Sequence, residues 1–413
     1  MFFIYDREMI QDIRTESPFW LMRNGFLHSY QTLAEDIKTD FVVMGGGISG
    51  ALLTWRLAKK GASVVLADRQ HIGMASTSAS TALLQYDIDR ALHELIEIMG
   101  EKKACRAYEL SLQALRDLEK IASGFRLDDF EPRLSIRFAA FKKDVPFLEK
   151  EFRARSSHGY DMELWDAAQV LKHFSFAAPA ALLTRPSAIA DPYRLTHALL
   201  QDAIEHGARV FDKTGVETIG RSKIGVTLKT SKGDAIRAKK VVIACGYESV
   251  DYVPFRIGSL RSTFAITSKP ASGKKKLWHE NASFWDTGDP YIYGRTTPDG
   301  RVVFGGGDEP FYSPAKRDKL LNKKTDWLAA RFRKMFPDVP LHVDYNWAGT
   351  FIETDDGLPY IGGIKQLPHT LFALGYGGNG ITFSQLAAEI ICDLLLGKKN
   401  NDAEIFSFER KTD

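Results

Sequence analysis

Apolar residues and glycines along the first part of the chain form a strand, turn, helix and strand pattern. The run 41–44 is apolar and suits a central parallel strand that is covered on both faces. A glycine-rich turn, residues 45–50, follows it and opens a helix with apolar positions, for which Gly61 is well placed as the C-terminal cap. A second apolar strand, residues 63–66, comes next. The pattern predicts a parallel βαβ unit.

Beyond this unit the period of the apolar positions changes along the chain. Residues 89–122 have the spacing of one or two amphipathic helices, and a capped helix is predicted over 191–207. Buried strands are predicted at 241–246 and 371–374, whereas residues 256–310 have the alternation and turns of an antiparallel sheet. The pattern therefore predicts an α/β fold (α+β mixed), with a nucleotide-binding domain interrupted by a second domain built on an antiparallel sheet plus helices.

Composition narrows the class of protein. Of the 413 residues, 44% are hydrophobic and 26% charged, and the net charge of +3 is too small to indicate nucleic acid as a partner. No apolar run reaches the length of a membrane span, and charged residues 6–8 interrupt any leader-like core. The three cysteines are scattered, with neither metal-site nor disulfide spacing, which predicts a cytoplasmic location.

The first glycine turn has the spacing G-x-G-x-x-G between a strand and a helix. Its glycines allow a tight turn and a close approach of backbone to a pyrophosphate, while the helix N-terminus supplies N–H donors. An acid eighteen residues after the last glycine is placed to accept hydrogen bonds from a ribose. The residues predicted to contact the dinucleotide here are Gly45, Gly47, Ile48, Ser49, Gly50 and Asp68.

A loop rich in hydroxyl groups follows the second strand. Small polar side chains at this place can hydrogen-bond a pyrophosphate and pack closely beneath a flat ring, although a polar surface loop has the same composition. The loop residues predicted to contact the cofactor are Ser76, Thr77, Ser78, Ser80 and Thr81.

A second glycine-rich turn between a strand and a helix lies at 375–384, about 330 residues after the first. One pyrophosphate does not need two such turns. A helix N-terminus aimed at the N1–C2=O edge of a flavin would stabilise the negative charge that collects there on reduction. The two turns together favour FAD over NAD, and hence a Rossmann-type FAD-binding domain.

Six segments of the chain resemble the D-amino-acid oxidase superfamily, which includes glycine oxidase and sarcosine oxidase. They are GGGISG, DRQHIGMASTSAS, DPYRL, VVIACG, WAGTFIETDDGLPYIG and GYGGNGITFS. Three further segments, PFW, HSY and YIYGRTTPDGRVVFGGGDE, are most similar to sequences of the branch that contains gamma-glutamylputrescine oxidoreductase.

The resemblance implies further FAD contacts and a domain division. The additional cofactor residues are Arg69, Val216, Ala244, Gly246, Gly377, Gly378, Asn379, Gly380 and Ile381. The FAD-binding domain is expected to comprise residues 36–90, 185–255 and 342–400, the substrate domain 91–184 and 256–341, and a packed N-terminal extension 1–35.

Flavin enzymes of this class take a hydride from a carbon that bears an amine, and water hydrolyses the resulting imine. The family's carboxylate-binding arginine is matched by Phe351, so an amine is favoured over a simple α-amino acid. Arg295 or Arg301 could restore carboxylate binding, unless an acid at the sheet rim holds Arg295. By period two, Arg295 shares a strand face with two tyrosines. The predicted catalytic residues are Tyr291, Tyr293, Arg295 and Phe351.

Several alternatives stay open. Glu353, Asp355 and Asp356 would suit a cationic amine, but two of them could simply cap a turn. Val303 matches a position where sarcosine-oxidase-like members carry a lysine, which argues against fast reaction with O2. The electron acceptor is therefore left open between O2 and another acceptor, such as a quinone or a protein. No cysteine lies near 349–351, which predicts non-covalent FAD. Oxidation of a hydroxy acid or glycerol phosphate, and a non-catalytic flavin-binding subunit, are the competing functions.

Overall fold

A computed structural model describes residues 14–15, 18–271 and 276–410 of the chain. The leader-like start and residues 1–13, 16 and 17 of the predicted extension lie outside them. The helices are α1 (Phe19–Asn24), α2 (Ile48–Lys59), α3 (Ser76–Ala79), α4 (Leu92–Met99), α5 (Glu101–Gly124), α6 (Val145–Ser156), α7 (Ala167–His173), α8 (Pro192–Glu205), α9 (Pro314–Met335) and α10 (Gly380–Leu395).

Two sheets contain the strands of the described residues. The strands are β1 (Ile37–Met44), β2 (Val64–Ala67), β3 (Leu83–Gln85), β4 (Glu131–Phe138), β5 (Met162–Asp166), β6 (Ala180–Ile189), β7 (Arg209–Phe211), β8 (Val216–Arg221), β9 (Val226–Thr230), β10 (Ala235–Ile243), β11 (Ser259–Ser268), β12 (Ser283–Asp286), β13 (Ile292–Thr296), β14 (Val302–Pro310), β15 (Val343–Glu353), β16 (Tyr360–Gly363) and β17 (Thr370–Leu374).

The first sheet has eight strands, in the order β16-β17-β10-β1-β2-β7 with β8 and β9 attached to β10. Strand β1 is at its centre and pairs in parallel with β10 and β2. Val42 and Val43 are fully buried, as expected of a strand covered on both faces. This arrangement confirms the α/β fold class and the βαβ unit predicted around the first glycine turn.

The second sheet has nine strands, in the order β15-β11-β14-β13-β12-β4-β6-β3 with β5 beside β6. Its pairings are antiparallel except that β12 runs parallel to β4. The hairpin between β13 and β14 closes where a turn is predicted, because the Gly300 N–H donates to the Thr297 carbonyl at 2.9 Å. The antiparallel character predicted for 256–310 is thus confirmed.

The strands of the second sheet cross the predicted domain boundaries. Strand β15 lies within 342–400 and β3 within 36–90, but both pair in the second sheet. Strand β6 crosses the boundary between residues 184 and 185. The division of the chain into two domains stays a prediction.

Local sequence signals account for several element ends. The carboxylate of Asp191 accepts the N–H groups of Tyr193 and Arg194, and therefore caps α8 as predicted. In the N-terminal segment, Phe19 and Trp20 of α1 are buried. In the described part of the chain, none of the helices is both long and apolar enough to cross a membrane.

Candidate active site

The first glycine turn joins β1 to α2 with no room for a side chain at two positions. Gly45 has φ +106°, and a Cβ there would lie 2.4 Å from the carbonyl oxygen of Ala244. A Cβ on Gly50 would lie 1.9 Å from the Gly45 carbonyl oxygen. The close packing of helix and strand therefore requires both glycines, as the dinucleotide motif predicts.

Asp68 follows β2 and lies directly beside this turn. Its Oδ2 accepts the Gly46 N–H at 2.6 Å, and its Oδ1 accepts the Gln70 N–H at 2.7 Å. Burial raises the pKa of Asp68, and the two N–H groups act in the opposite direction. The carboxylate is thus held at the carboxyl edge of the sheet, where a ribose ligand is expected.

Asp68→Ala should weaken FAD binding by about 1–3 kcal/mol, because it removes a charge-assisted hydrogen bond and leaves the Gly46 N–H without its acceptor. Fluorescence titration of FAD into the stripped protein measures this loss. Asp68→Asn keeps an acceptor oxygen without the charge and should lose less affinity. An FAD affinity unchanged in Asp68→Ala would show that Asp68 is not the ribose ligand.

Three further residues predicted to contact FAD come from β8, the end of β10 and the chain after β2. Arg69 forms an ion pair with Glu248, and burial raises the pKa of Glu248 to about 7. The Ala244 N–H donates to the Met44 carbonyl at 2.8 Å, which fixes the end of β10 against β1. Val216, at the start of β8, is half-buried.

The hydroxyl-rich loop folds into the short helix α3, and its hydroxyl groups differ in what they bind. Thr77 Oγ1 accepts the Ile48 N–H at 2.9 Å, and Ser78 Oγ donates to the carbonyls of Met74 and Ala75. Ser76 Oγ is buried and has no hydrogen-bond partner among the described residues. Ser76 lies next to Gly246, whose Cβ would be 3.5 Å from that oxygen. A bound ligand could supply the hydrogen-bond partner that Ser76 Oγ lacks.

Three donors hold the backbone carbonyls of the same loop. Trp20 Nε1 donates to the Ser80 carbonyl at 2.7 Å and Trp347 Nε1 to the Ala79 carbonyl at 2.8 Å. Arg295 Nε donates to the Thr81 carbonyl at 2.6 Å. The loop is thus shaped by α1, β15 and β13 together.

The second glycine turn leads into α10, which packs against α2. Ser49 Oγ lies 2.7 Å from Ser384 Oγ, so the two glycine turns are adjacent. Asn379 Nδ2 donates to the Asp87 carbonyl at 2.6 Å, which anchors the turn, and Ile381 is buried. Four of the predicted cofactor residues thus use their side chains in hydrogen bonds within the protein: Ser49, Thr77, Ser78 and Asn379.

A cavity of about 430 Å³ adjoins the second turn between β11, β15 and the loop after β3. The Gly378 N–H donates to Asp89 Oδ2 at 2.9 Å, and a Cβ on Gly377 would lie 2.1 Å from the same oxygen. A carboxylate therefore lies against the turn that is expected to face the flavin. The charged lining residues are Asp89, Arg90, Arg261, Glu353 and Asp355.

Arg261 of β11 lies opposite Phe351 of β15 in the strand register. Directly opposed residues share one sheet face, so buried Phe351 lies on the face that carries Arg261 and Glu353. Arg261 Nε donates to Glu353 Oε2 at 2.9 Å. Arg261 is not among the residues predicted from the sequence, because strand register identifies it and no local motif does.

Tyr291 and Tyr293 lie near this face, with ring centroids 5.8 Å apart. The Tyr293 hydroxyl is 3.1 Å from Thr263 Oγ1, and its ring lies where a Cβ on Gly305 would be. Burial raises the pKa of Asp308 to about 7, with Glu353 acting in the same direction and the Thr263 and Tyr291 hydroxyls opposing it. The two predicted tyrosines are therefore brought together with an acid that the sequence analysis did not propose.

The structure places Arg295 and Arg301 in other contacts. Arg295 is fully buried and donates to backbone carbonyls, that of Thr81 and, at 3.2 Å, that of Ala190. Arg301 binds the carboxylates of Asp344 at 2.6 Å and Asp299 at 3.0 Å. The guanidinium groups that line the cavity are instead those of Arg90 and Arg261.

Of the three acids at the end of β15 and directly after it, Asp356 has a structural role. Its carboxylate binds the guanidinium of Arg410 through two hydrogen bonds, at 2.7 and 2.9 Å, and its side chain is 1% exposed. Glu353 and Asp355 line the cavity. Asp356 thus has a structural role, whereas a substrate role for Glu353 and Asp355 stays a prediction.

The chain fits FAD at these turns, since it offers a glycine cradle, a Ser76 hydroxyl without a hydrogen-bond partner and, in Asp68, an acid where a ribose is expected. The family model of the FAD dependent oxidoreductase DAO matches residues 40–394. Gamma-glutamylputrescine oxidoreductase of Escherichia coli is 25% identical over 91% of this chain and 87% of its own length. Glycine oxidase of Bacillus licheniformis is 27% identical over 91% of this chain and 98% of its own length.

Solved structures have the same fold. L-proline dehydrogenase from P. horikoshii has a TM-score of 0.76 at 20% identity, over 91% of this chain and 97% of its own. Glycine oxidase from Geobacillus kaustophilus has a TM-score of 0.75 at 20% identity, over 91% and 99% of the two chains. The chain belongs to the DAO family of FAD-dependent oxidoreductases.

Proposed function

We propose that this FAD-dependent oxidoreductase oxidises the C–N bond of an amine that binds as a cation. The observation that carries the proposal is the acidic cavity beside the second glycine turn. Three carboxylates line it against two guanidinium groups, and Asp308 lies close behind. Relatives named for gamma-glutamylputrescine and for glycine support a nitrogen-bearing substrate.

The charge of the cavity favours an amine over an α-amino acid. Glu353 already binds Arg261 at 2.9 Å, so a substrate carboxylate would have to compete with an acid of the protein for that guanidinium. Phe351 offers an apolar surface on the same face, which suits the hydrocarbon part of an amine. An unpaired carboxylate in this setting would lose hydration without a partner.

The work of the protein is to bind, orient and desolvate the substrate. FAD supplies the hydride acceptor when it is bound, at the flavin N5 in this proposal. Asp89 and Glu353 attract the ammonium, while Tyr291, Tyr293 and Phe351 provide the wall that orients the carbon and keeps water away. The imine product is then hydrolysed by water.

The three free cysteines agree with a cytoplasmic location.

Anaerobic stopped-flow reduction with matched pairs tests the substrate class. We expect n-butylamine to reduce the flavin at least about tenfold faster than norvaline, its α-carboxylated counterpart, and benzylamine faster than phenylglycine, because only the carboxylated members place an uncompensated anion in the cavity. Faster reduction by the carboxylated member in both pairs would overturn the amine assignment.

Arg261→Gln serves as the diagnostic variant for the same experiment. It releases Glu353 from its ion pair and makes the cavity more negative, so the KM for amines should fall and that for their carboxylated counterparts should rise. If the carboxylated substrates win in the parent enzyme and lose that advantage in Arg261→Gln, the guanidinium is their ligand.

A further inference from the structure

Asp89 lies in the loop between β3 and α4, between the second glycine turn and the cavity. Its Oδ2 accepts the Gly378 N–H at 2.9 Å, and the space beside Gly377 is so small that a Cβ there would meet the carboxylate. The backbone of the turn therefore fixes this carboxylate where the flavin and the substrate are expected to meet.

The other carboxylates around the cavity are placed differently. Glu353 is bound by Arg261, and Asp308 lies among the Thr263 and Tyr291 hydroxyls. Asp355 is exposed. Asp89 Oδ1 accepts no hydrogen bond from the residues that the structure describes. The same is true of Asp308 Oδ1, but Asp89 lines the cavity and Asp308 is not among its lining residues.

We propose that Asp89 accepts a proton from the ammonium group of the bound amine, so that the neutral amine forms beside the second glycine turn. The inference rests on the proposed function. In this step one N–H bond of the ammonium breaks and an O–H bond forms on Asp89, while the electron pair stays on nitrogen. The step is a proton transfer alone and needs no oxidant.

Burial makes Asp89 a better base than an ordinary aspartate. Burial raises the pKa of Asp89 to about 6, and Glu353 of β15 acts in the same direction. The Gly378 N–H, Arg137 of β4 and Arg90 of the same loop oppose that rise. Tyr291, just before β13, also faces Asp89, and burial together with Asp308 and Asp89 raises the pKa of that phenol. The carboxylate is ionised at neutral pH yet takes up a proton more readily than an exposed aspartate.

The sign of the pH dependence follows from this assignment. A base works only when it is deprotonated, so flavin reduction by an amine should rise as the pH increases through about 6. Without the carboxylate, only the fraction of amine that is already neutral in solution reacts. The profile then moves toward the alkaline pKa of the amine itself.

Asp89→Asn tests the proposal, since an amide oxygen can still accept the Gly378 N–H. Anaerobic reduction is followed from about pH 5.5 to about pH 10 with the fastest of n-butylamine, benzylamine and N-acetylputrescine. We expect the rate at pH 7 to fall about 100-fold, the rise near pH 6 to vanish, and the rate to recover at alkaline pH. A rate within threefold of the parent with an unchanged profile would overturn the proposal.

Two further variants separate a proton-accepting role from a structural one. Asp89→Glu keeps a carboxylate, so its rate of flavin reduction should still rise near neutral pH. If the rate of Asp89→Glu does not rise there, the proposal is contradicted, even in the case that Asp89→Asn binds FAD poorly. Asp326→Asn, on an exposed position of α9, should reproduce the parent profile. FAD affinity, measured by fluorescence titration, should be the same within threefold in Asp89→Asn.

The outcomes also distinguish this inference from the proposed function. If no amine reduces the flavin of the parent enzyme, the proposed function fails and this inference with it. If amines reduce the parent and Asp89→Asn with one common pH profile, only the assignment of Asp89 fails.

Discussion

Replacing Gly45 with alanine is expected to abolish FAD binding and to lower the free energy of unfolding by about 3 kcal/mol. The new Cβ would lie 2.4 Å from the Ala244 carbonyl oxygen, and Gly45 also has φ +106°, a conformation that costs alanine energy. Neither partner can move easily, because β1 and β10 are paired along seven registered positions in the middle of the sheet.

Urea unfolding and the ratio of FAD to protein in the purified sample measure both effects. Gly61→Ala is the matched control, since Gly61 also has a positive φ, +75°, but no atom lies within 4 Å of its Cβ position. That variant should lose only about 1 kcal/mol and keep its FAD. Equal losses in the two variants would show that backbone strain, and not the contact with Ala244, makes the glycine necessary.

Arg410→Ala is expected to lower the free energy of unfolding by about 3–5 kcal/mol, because it leaves the carboxylate of Asp356 buried without its partner. The side chains of Arg410 and Asp356 are 4% and 1% exposed, and the guanidinium also lies 3.7 Å from the ring centroid of Tyr360. Equilibrium denaturation in urea gives the loss.

Glu409→Ala is the control from the same segment. Its ion pair with Lys365 has a similar length, 2.9 Å, but the two side chains are 64% and 83% exposed, so less than about 1 kcal/mol should be lost. If Arg410→Ala lowered the free energy of unfolding no more than Glu409→Ala does, the structural role of Asp356 would be wrong. A substrate role for Asp356 would then have to be reconsidered.

The cofactor half of the fold was predictable because its signals are local. The glycines of the first turn, the two apolar strands beside it and Asp68 all lie within residues 37–68. Their arrangement therefore depends on few contacts between distant parts of the chain. Helix α9 was not predicted. Its buried residues Leu321, Leu328 and Phe332 are seven and four positions apart, which is helical spacing, so a signal for this helix was present in the sequence. Its packing against β11 and β15 is not visible from that spacing.

The substrate half of the site was predicted less completely, because it depends on register. Arg261, Asp89 and Asp308 come from two strands and a loop, and no spacing in the chain brings them together. Arg295 is expected from period-two alternation on the strand face of Tyr291 and Tyr293. Alternation alone does not reveal that the loop containing Thr81 covers the guanidinium.

The three donors that hold the loop of residues 79–81 have a consequence for how the holoenzyme is made. Trp20 is synthesised early, whereas Arg295 and Trp347 leave the ribosome only after most of the chain has been translated. The first glycine turn similarly awaits Ala244. A nascent chain that ends before residue 347 therefore contains the glycine-rich motif expected to bind the pyrophosphate. It lacks Trp347, one of the donors that hold the loop expected to pack beneath the flavin ring. We expect the flavin to be acquired late, as a step that completes maturation and does not nucleate folding.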